Sequence, residues 1–135
     1  MQWTGGAGAG FTTGRPWLPI AGDAATVNVD AQRADTASIL ELHRRLLELR
    51  RREPALAVGE YGPIVATDQV LSYERGHGDR RIAVTLNLSG ERATAGLPAA
   101  GRVLLDSRLA RSGEGVGPEV ELAENEGLII ELRAR

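Results

Sequence analysis

The sequence holds no cysteine and no lysine, one methionine, and few aromatics: two Trp, two Tyr and one Phe among 135 residues. Without cysteine, disulfides, thiolate metal sites and cysteine nucleophiles are excluded. All sixteen basic residues are Arg, which removes any chemistry that needs a lysine amine. No apolar run approaches the roughly 18 residues of a membrane span. No basic n-region leads into an apolar h-region at the start. The net charge is only −2, so neither nucleic acid nor an anionic membrane is an expected partner. These absences lead to the expectation of a cytoplasmic protein, long enough for one domain with a core.

What is present divides unevenly. Residues 1–35 are rich in turn formers, from Gly5, Gly6, Gly8 and Gly10 to Pro16 and Pro19. They read as one long loop, and loops of more than about 15 residues are usually functional or disordered. Trp3, Phe11 and Trp17 argue against disorder, which is poor in aromatics. The glycines do not form a nucleotide loop: no spacing gives G-x-G-x-x-G, and no G-K-[ST] follows.

Residues 36–53 predict an amphipathic helix. Ile39, Leu42, Leu46 and Leu49 recur at three- and four-residue steps, with Leu40 and Leu47 widening the stripe. Asp35 or Thr36 is placed to cap it, and Ser38 with Glu41 has capping-box spacing. Arg50, Arg51 and Arg52 suit the negative end of the helix dipole. Pro54 ends the helix. Glu41, Arg44, Arg45 and Glu48 form the expected solvated face.

After Pro54 the pattern becomes that of short strands. Residues 70–75 and 81–89 flank a "GHGD" hairpin signal, and Ile82, Val84, Leu86 and Leu88 alternate. Residues 102–107 and 127–132 are further strands, with weaker signals near 57–65, 91–97 and 118–122. The fold class is therefore mainly β: an antiparallel, Greek-key-like β-sandwich preceded by a long loop and one amphipathic helix.

No residue set stands out as chemistry. His43 borders the helix stripe and His77 sits in the hairpin; two distant histidines without cysteine make no zinc site. No G-x-S-x-G elbow is present. Carboxylates are plentiful, but no pair is singled out for glycoside hydrolysis. Asn87-Leu88-Ser89 is a formal glycosylation sequon inside a predicted strand.

The opening stretch is informative in another way. "MQW", then "AGFTTGRPWLP", "VNVDAQ" and the helix "SILELHRRLLELRRREPAL" resemble the C-terminal part of α-glucosidases of glycoside hydrolase family 13. Oligo-1,6-glucosidases and trehalose synthases belong to that group. The resemblance covers the whole chain and is most specific through about residue 60. It implies a (β/α)8 barrel of which residues 1–56 are the last loop and helix. Residues 57–135 would form the C-terminal β domain.

The loop would then line the rim of a sugar pocket, with Gln2, Trp3, Phe11 and Trp17 as its substrate-side residues. Ile39, Leu42, Leu46 and Leu49 would pack on the barrel. The family's three catalytic carboxylates all precede the Met-Gln-Trp step, so this chain is assigned no catalytic residue, metal or cofactor, and is expected to be inactive alone. Met1 coincides with an internal Met of the family, which suggests a truncated or misassigned open reading frame, or a fragment expressed deliberately; the parent is expected to be bacterial. The Asp that often follows Met-Gln-Trp is Thr4 here. The implied partners are the parent's barrel and, in that setting, an oligosaccharide. Two alternatives stand beside this: a carbohydrate-binding β-sandwich, or a self-associating domain using helix 36–53.

Overall fold

The computed structural model describes residues 1–133. The chain forms two compact units, one ending at Arg44 and the other starting at Arg45.

In the first unit the expected long loop contains a short helix, α1 (Val29–Ala34). Its cap explains it. Asn28 Oδ1 accepts from Ala31 N at 2.9 Å, and Asp30 and Arg33 match the dipole at either end. The sequence "VDAQRA" has no apolar stripe, so periodicity gave no sign of it.

Helix α2 (Ile39–Arg52) starts three residues later than the pattern suggested. Neither Asp35 nor Thr36 caps it. Ser38 Oγ accepts from Glu41 N at 3.2 Å, the capping-box spacing, and donates to Gln32 O at 2.8 Å. Asp35 instead turns the chain before it, accepting from Ala37 N. Pro54 cannot continue α2, yet it suits the first position of a new helix. Glu53 is extended, and α3 (Pro54–Ala57) begins.

The second unit is mainly antiparallel β, as expected. Its strands are β1 (Glu60–Ala66), β2 (Val70–His77), β3 (Arg80–Asn87) and β4 (Ala93–Gly96). They continue with β5 (Gly101–Asp106), β6 (Gly115–Val116), β7 (Glu119–Leu122) and β8 (Gly127–Leu132). Six form one sheet in the order β1-β2-β3-β8-β5-β6, and β4 pairs with β7 in a second. Strand β8 returns between β3 and β5, a Greek-key feature. The two sheets enclose a core of Ala83, Val103, Leu128, Ile130 and Leu132 against Ala93, Ala95, Val120 and Leu122.

Strand alternation sends Ile82 and Val84 to the other face of the large sheet, where Ala55 of α3 covers them. Thr85 is buried in the sheet, and its hydroxyl accepts from Ser72 Oγ at 2.7 Å. The β2–β3 hairpin is tighter than a four-residue loop. His77 pairs with Arg80 across Gly78-Asp79, and Gly78 takes φ +56°.

Candidate functional site

The Met-Gln-Trp segment is held mainly by its backbone. The N–H groups of Val29 and Asp30, orphans at the start of α1, donate to the carbonyls of Gln2 (3.0 Å) and Trp3 (3.1 Å). On the other side, Trp3 N and Thr4 N both donate to Ala9 O, at 2.8 and 3.3 Å. Ala9 is fully buried beneath this coil. The glycine run makes the coil possible. Gly8 and Gly10 take φ +70° and +73°, and a Cβ on Gly5 would meet Ala25 O at 2.9 Å. Asn28 is buried, and its Nδ2 donates to Ala24 O at 3.0 Å in the turn before α1.

Of the four substrate-side candidates, three meet. Gln2, Phe11 and Trp17 line a cleft of about 310 Å³ with Met1, Leu18 and Pro19. Trp3 is half-exposed but does not line it. Gln2 Nε2 donates to Asp23 Oδ1 at 3.5 Å, and the Trp17 indole is 89% exposed. Such a cleft offers apolar ring faces and one amide, which can hold and orient a ligand but can transfer no proton.

The helix stripe is only partly buried. No residue of α2 is buried, and Ile39 is 67% exposed. Leu42 and Leu49 are half-buried, and Leu46 and Leu47 are exposed. The face expected to be solvated is no wetter: Glu41 and Arg45 are half-buried. His43, which borders the stripe, is exposed.

In the second unit several acidic residues are committed to structure. Glu53, buried, pairs with Arg80, which also reaches Glu131. Asp106, buried, accepts from Arg108 N, Ala110 N and Arg111 N. Arg111 binds Glu114 through two nitrogens and Glu126 at 3.1 Å. Its acidity is weakened by the Glu114 hydrogen bond, with the Glu126 and Glu114 charges adding to that against burial.

The carboxyls whose pKa is clearly shifted are all held below the ordinary carboxylate range. Glu53 is held by hydrogen bonding to Arg80, and Glu114 by hydrogen bonding to Arg111. Glu124 is held by its own backbone N–H and then by Arg108. A glycosidase's general acid needs the opposite shift. The sequon is closed as well. Asn87 is buried, and its Nδ2 donates to Glu91 O and Ala123 O. Among the described residues no cluster of His, Asp and Glu could hold a metal ion, and no helix is long and apolar enough to cross a membrane.

Comparison with known proteins gives these features a setting. A family model described as the catalytic domain of alpha amylase matches residues 1–59. The chain is 37% identical over 98 residues to a probable alpha-glucosidase of Rhizobium meliloti, covering 73% of this chain and 18% of that protein. It is 35% identical over 91 residues to a glucan 1,6-alpha-glucosidase of Streptococcus pneumoniae, covering 67% of this chain and 17% of the other. With the oligo-1,6-glucosidase of Parageobacillus thermoglucosidasius the identity is 31% over 99 residues, covering 73% and 18%. The crystal structure of the trehalulose synthase MutB from Pseudomonas mesoacidophila MX-45 superposes with a TM-score of 0.89 at 27% identity, over 98% of this chain and 24% of that one.

Residues 1–59 thus resemble part of the alpha-amylase catalytic domain. The chain is homologous to a segment of the α-glucosidases of glycoside hydrolase family 13. It spans less than a fifth of the length of these curated relatives.

Proposed function

We propose that this chain is the noncatalytic C-terminal part of a bacterial, cytoplasmic family-13 α-glucosidase, and that its role is structural support of the barrel. In this reading residues 1–56 complete the barrel and residues 57–135 form the β domain beside it. The parent hydrolyses α-glucosidic bonds of oligosaccharides with retention, through two carboxylates outside this segment. The cleft of Gln2, Phe11 and Trp17 forms part of the rim of its sugar pocket.

One observation carries the reading: Ile39, Leu46 and Leu47 of α2 and Trp3, Phe11, Trp17 and Leu18 of the opening loop are exposed large apolar side chains. Patches of this kind mark interaction surfaces. The same exposure favours a second reading for the isolated chain, self-association through Ile39, Leu42, Leu46 and Leu49. Sedimentation tests that directly: a strict monomer at high concentration with the stripe solvent-exposed contradicts it.

The support role is tested by complementation. The barrel of the Rhizobium relative, shortened by the stretch that matches this chain, is assayed on p-nitrophenyl α-glucoside with and without the chain. Expected are no turnover by the chain alone and recovery of activity on mixing. Turnover by the chain alone, or a shortened barrel equally active without it, overturns the proposal.

A further inference from the structure

Strand β1 carries Gly62-Pro63 in its middle. Proline brings no N–H to the ladder, and the β1–β2 register slips between Tyr61 and Ile64. Gly62 lies close over Glu74, where a Cβ would come 3.1 Å from Glu74 Cβ. Gly76 and Gly78 then add no side chains at the hairpin end. The result is a cleft of about 600 Å³, nearly twice the volume of the one at Trp17.

Its walls are chemically mixed. The Tyr61 ring is 67% exposed, with the Arg75 guanidinium 4.1 Å over it and the Tyr73 ring 5.8 Å away, tilted 46°. Both tyrosines of the sequence therefore meet at one place. Arg75 Nη2 donates to Gly59 O at 2.7 Å, while its Nε is buried with no partner. Glu74 and Arg81 form an ion pair across the floor. Glu60 and His77 are exposed at the edge, and neither side chain makes a hydrogen bond or ion pair among the described residues.

We propose that this cleft binds a neutral pyranose unit of an oligosaccharide. Glu60 and Glu74 balance Arg75 and Arg81, so the wall has no charge of one sign to draw an anion. It offers the exposed Tyr61 side chain beside a free acceptor, Glu60, and a free imidazole, His77. Vicinal sugar hydroxyls each donate and accept, and a pyranose also has an apolar C–H face for the ring. The volume falls in the range of small-molecule sites. The site lies wholly in the second unit and goes beyond the support role; either can fail without the other.

The test is a titration of the isotope-labelled full chain with maltose, with isomaltose and, separately, with sodium phosphate, followed at the backbone amides. Expected is a saturable shift at Tyr61, Gly62, Arg75, Gly76 and His77 with either sugar and none with phosphate. Tyr61→Ala weakens binding about tenfold by removing the ring. Glu60→Gln, an exposed change that leaves the fold intact, weakens it about threefold by losing a charged acceptor; it decides the matter if Tyr61→Ala unfolds. No saturable shift, a shift with phosphate in place of sugar, shifts confined to residues 1–21, or undiminished binding by Glu60→Gln overturns the proposal.

Discussion

From Arg45 onward, Ile82, Leu122, Leu128 and Ile130 are fully buried. In the unit ending at Arg44, the only buried apolar residues are Ala9 and Ala24, while Trp3, Phe11, Trp17 and Leu18 face outward. Burying a large aliphatic side chain is worth about 1.5–3 kcal/mol, a gain the β unit takes repeatedly and the first unit hardly at all. The first unit is held instead by bonds such as Val29 N to Gln2 O and Trp3 N to Ala9 O. Each contributes about 1 kcal/mol net, against the entropy of ordering a glycine-rich coil. The β unit carries its own stability. On the proposed reading, the parent's barrel would cover the exposed side chains of the first unit.

The two units carry separate reporters, since both Trp residues precede Arg45 and both Tyr residues follow it. The largest expected effect is that the chain unfolds in two steps. In urea the Trp emission should reach its solvated value well before the Tyr signal and strand circular dichroism change. Residues 53–135 alone should keep the second, cooperative transition, and residues 1–44 alone should show none. Coincident Trp and Tyr transitions in the full chain would break the comparison outright.

The next contrast is within side chains of similar size. Ile130→Ala empties a fully buried position between the sheets and should cost about 3–4 kcal/mol of the Tyr-monitored transition. Leu46→Ala, at an exposed position of α2, should change it by less than about 0.5 kcal/mol. A large cost at Leu46 would mean that the stripe is covered in solution, and sedimentation would then show whether a second copy covers it.

This contrast also marks what could be read from the sequence. The stripe and the strand alternation were legible because periodicity reports which residues want burial. It does not report whether a partner is present, so the Leu46 face was predicted as a packing face and is exposed here. Helix α1 was missed because its formation rests on Asn28 and on two carbonyls of a distant segment, not on a pattern. Gln2, Phe11 and Trp17 line one cleft, a grouping that no periodicity in the sequence announces. The Tyr61 cleft had a local signal in Gly62-Pro63, a breaker pair inside a strand. Its partners Arg75 and His77 became visible only once the β1–β2–β3 register was known.

A smaller effect is expected at the junction of α2 and the sheet. Glu53 Oε1 accepts from Ala55 N at 3.4 Å, and the carboxylate pairs with Arg80 at the hairpin. The Arg80 hydrogen bond, helped by Ala55 N and the Arg80 and His77 charges, holds the Glu53 carboxyl below its ordinary range despite burial. A lowered acid stabilises the fold fully above the unfolded-state pKa, about 4.3 for Glu. That contribution is lost as pH falls through the folded-state value. The Tyr-monitored transition should therefore weaken below about pH 4.3, and Glu53→Gln should flatten this part of the profile. At neutral pH Glu53→Gln should cost about 1–2 kcal/mol, less than a fully buried pair because Arg80 is half-exposed. An unchanged acid limb in Glu53→Gln would assign the acid sensitivity to other carboxylates.

The smallest effect separates the units most cleanly. Gly10 takes φ +73°, and an added Cβ would sit 3.1 Å from both Trp3 Cβ and Thr4 Oγ1. Gly10→Ala should therefore cost about 1 kcal/mol locally, through a positive φ that alanine resists and a crowded coil. Gly22→Ala meets nothing within 4 Å and has no such φ, so it should leave the Trp signal unchanged. The Trp emission of Gly10→Ala should shift toward the solvated value in buffer, while its Tyr-monitored transition stays where it is. If that transition moves as well, the coil of residues 1–10 is contributing to the stability of the β unit, and the two units do not stand as separately as their cores suggest.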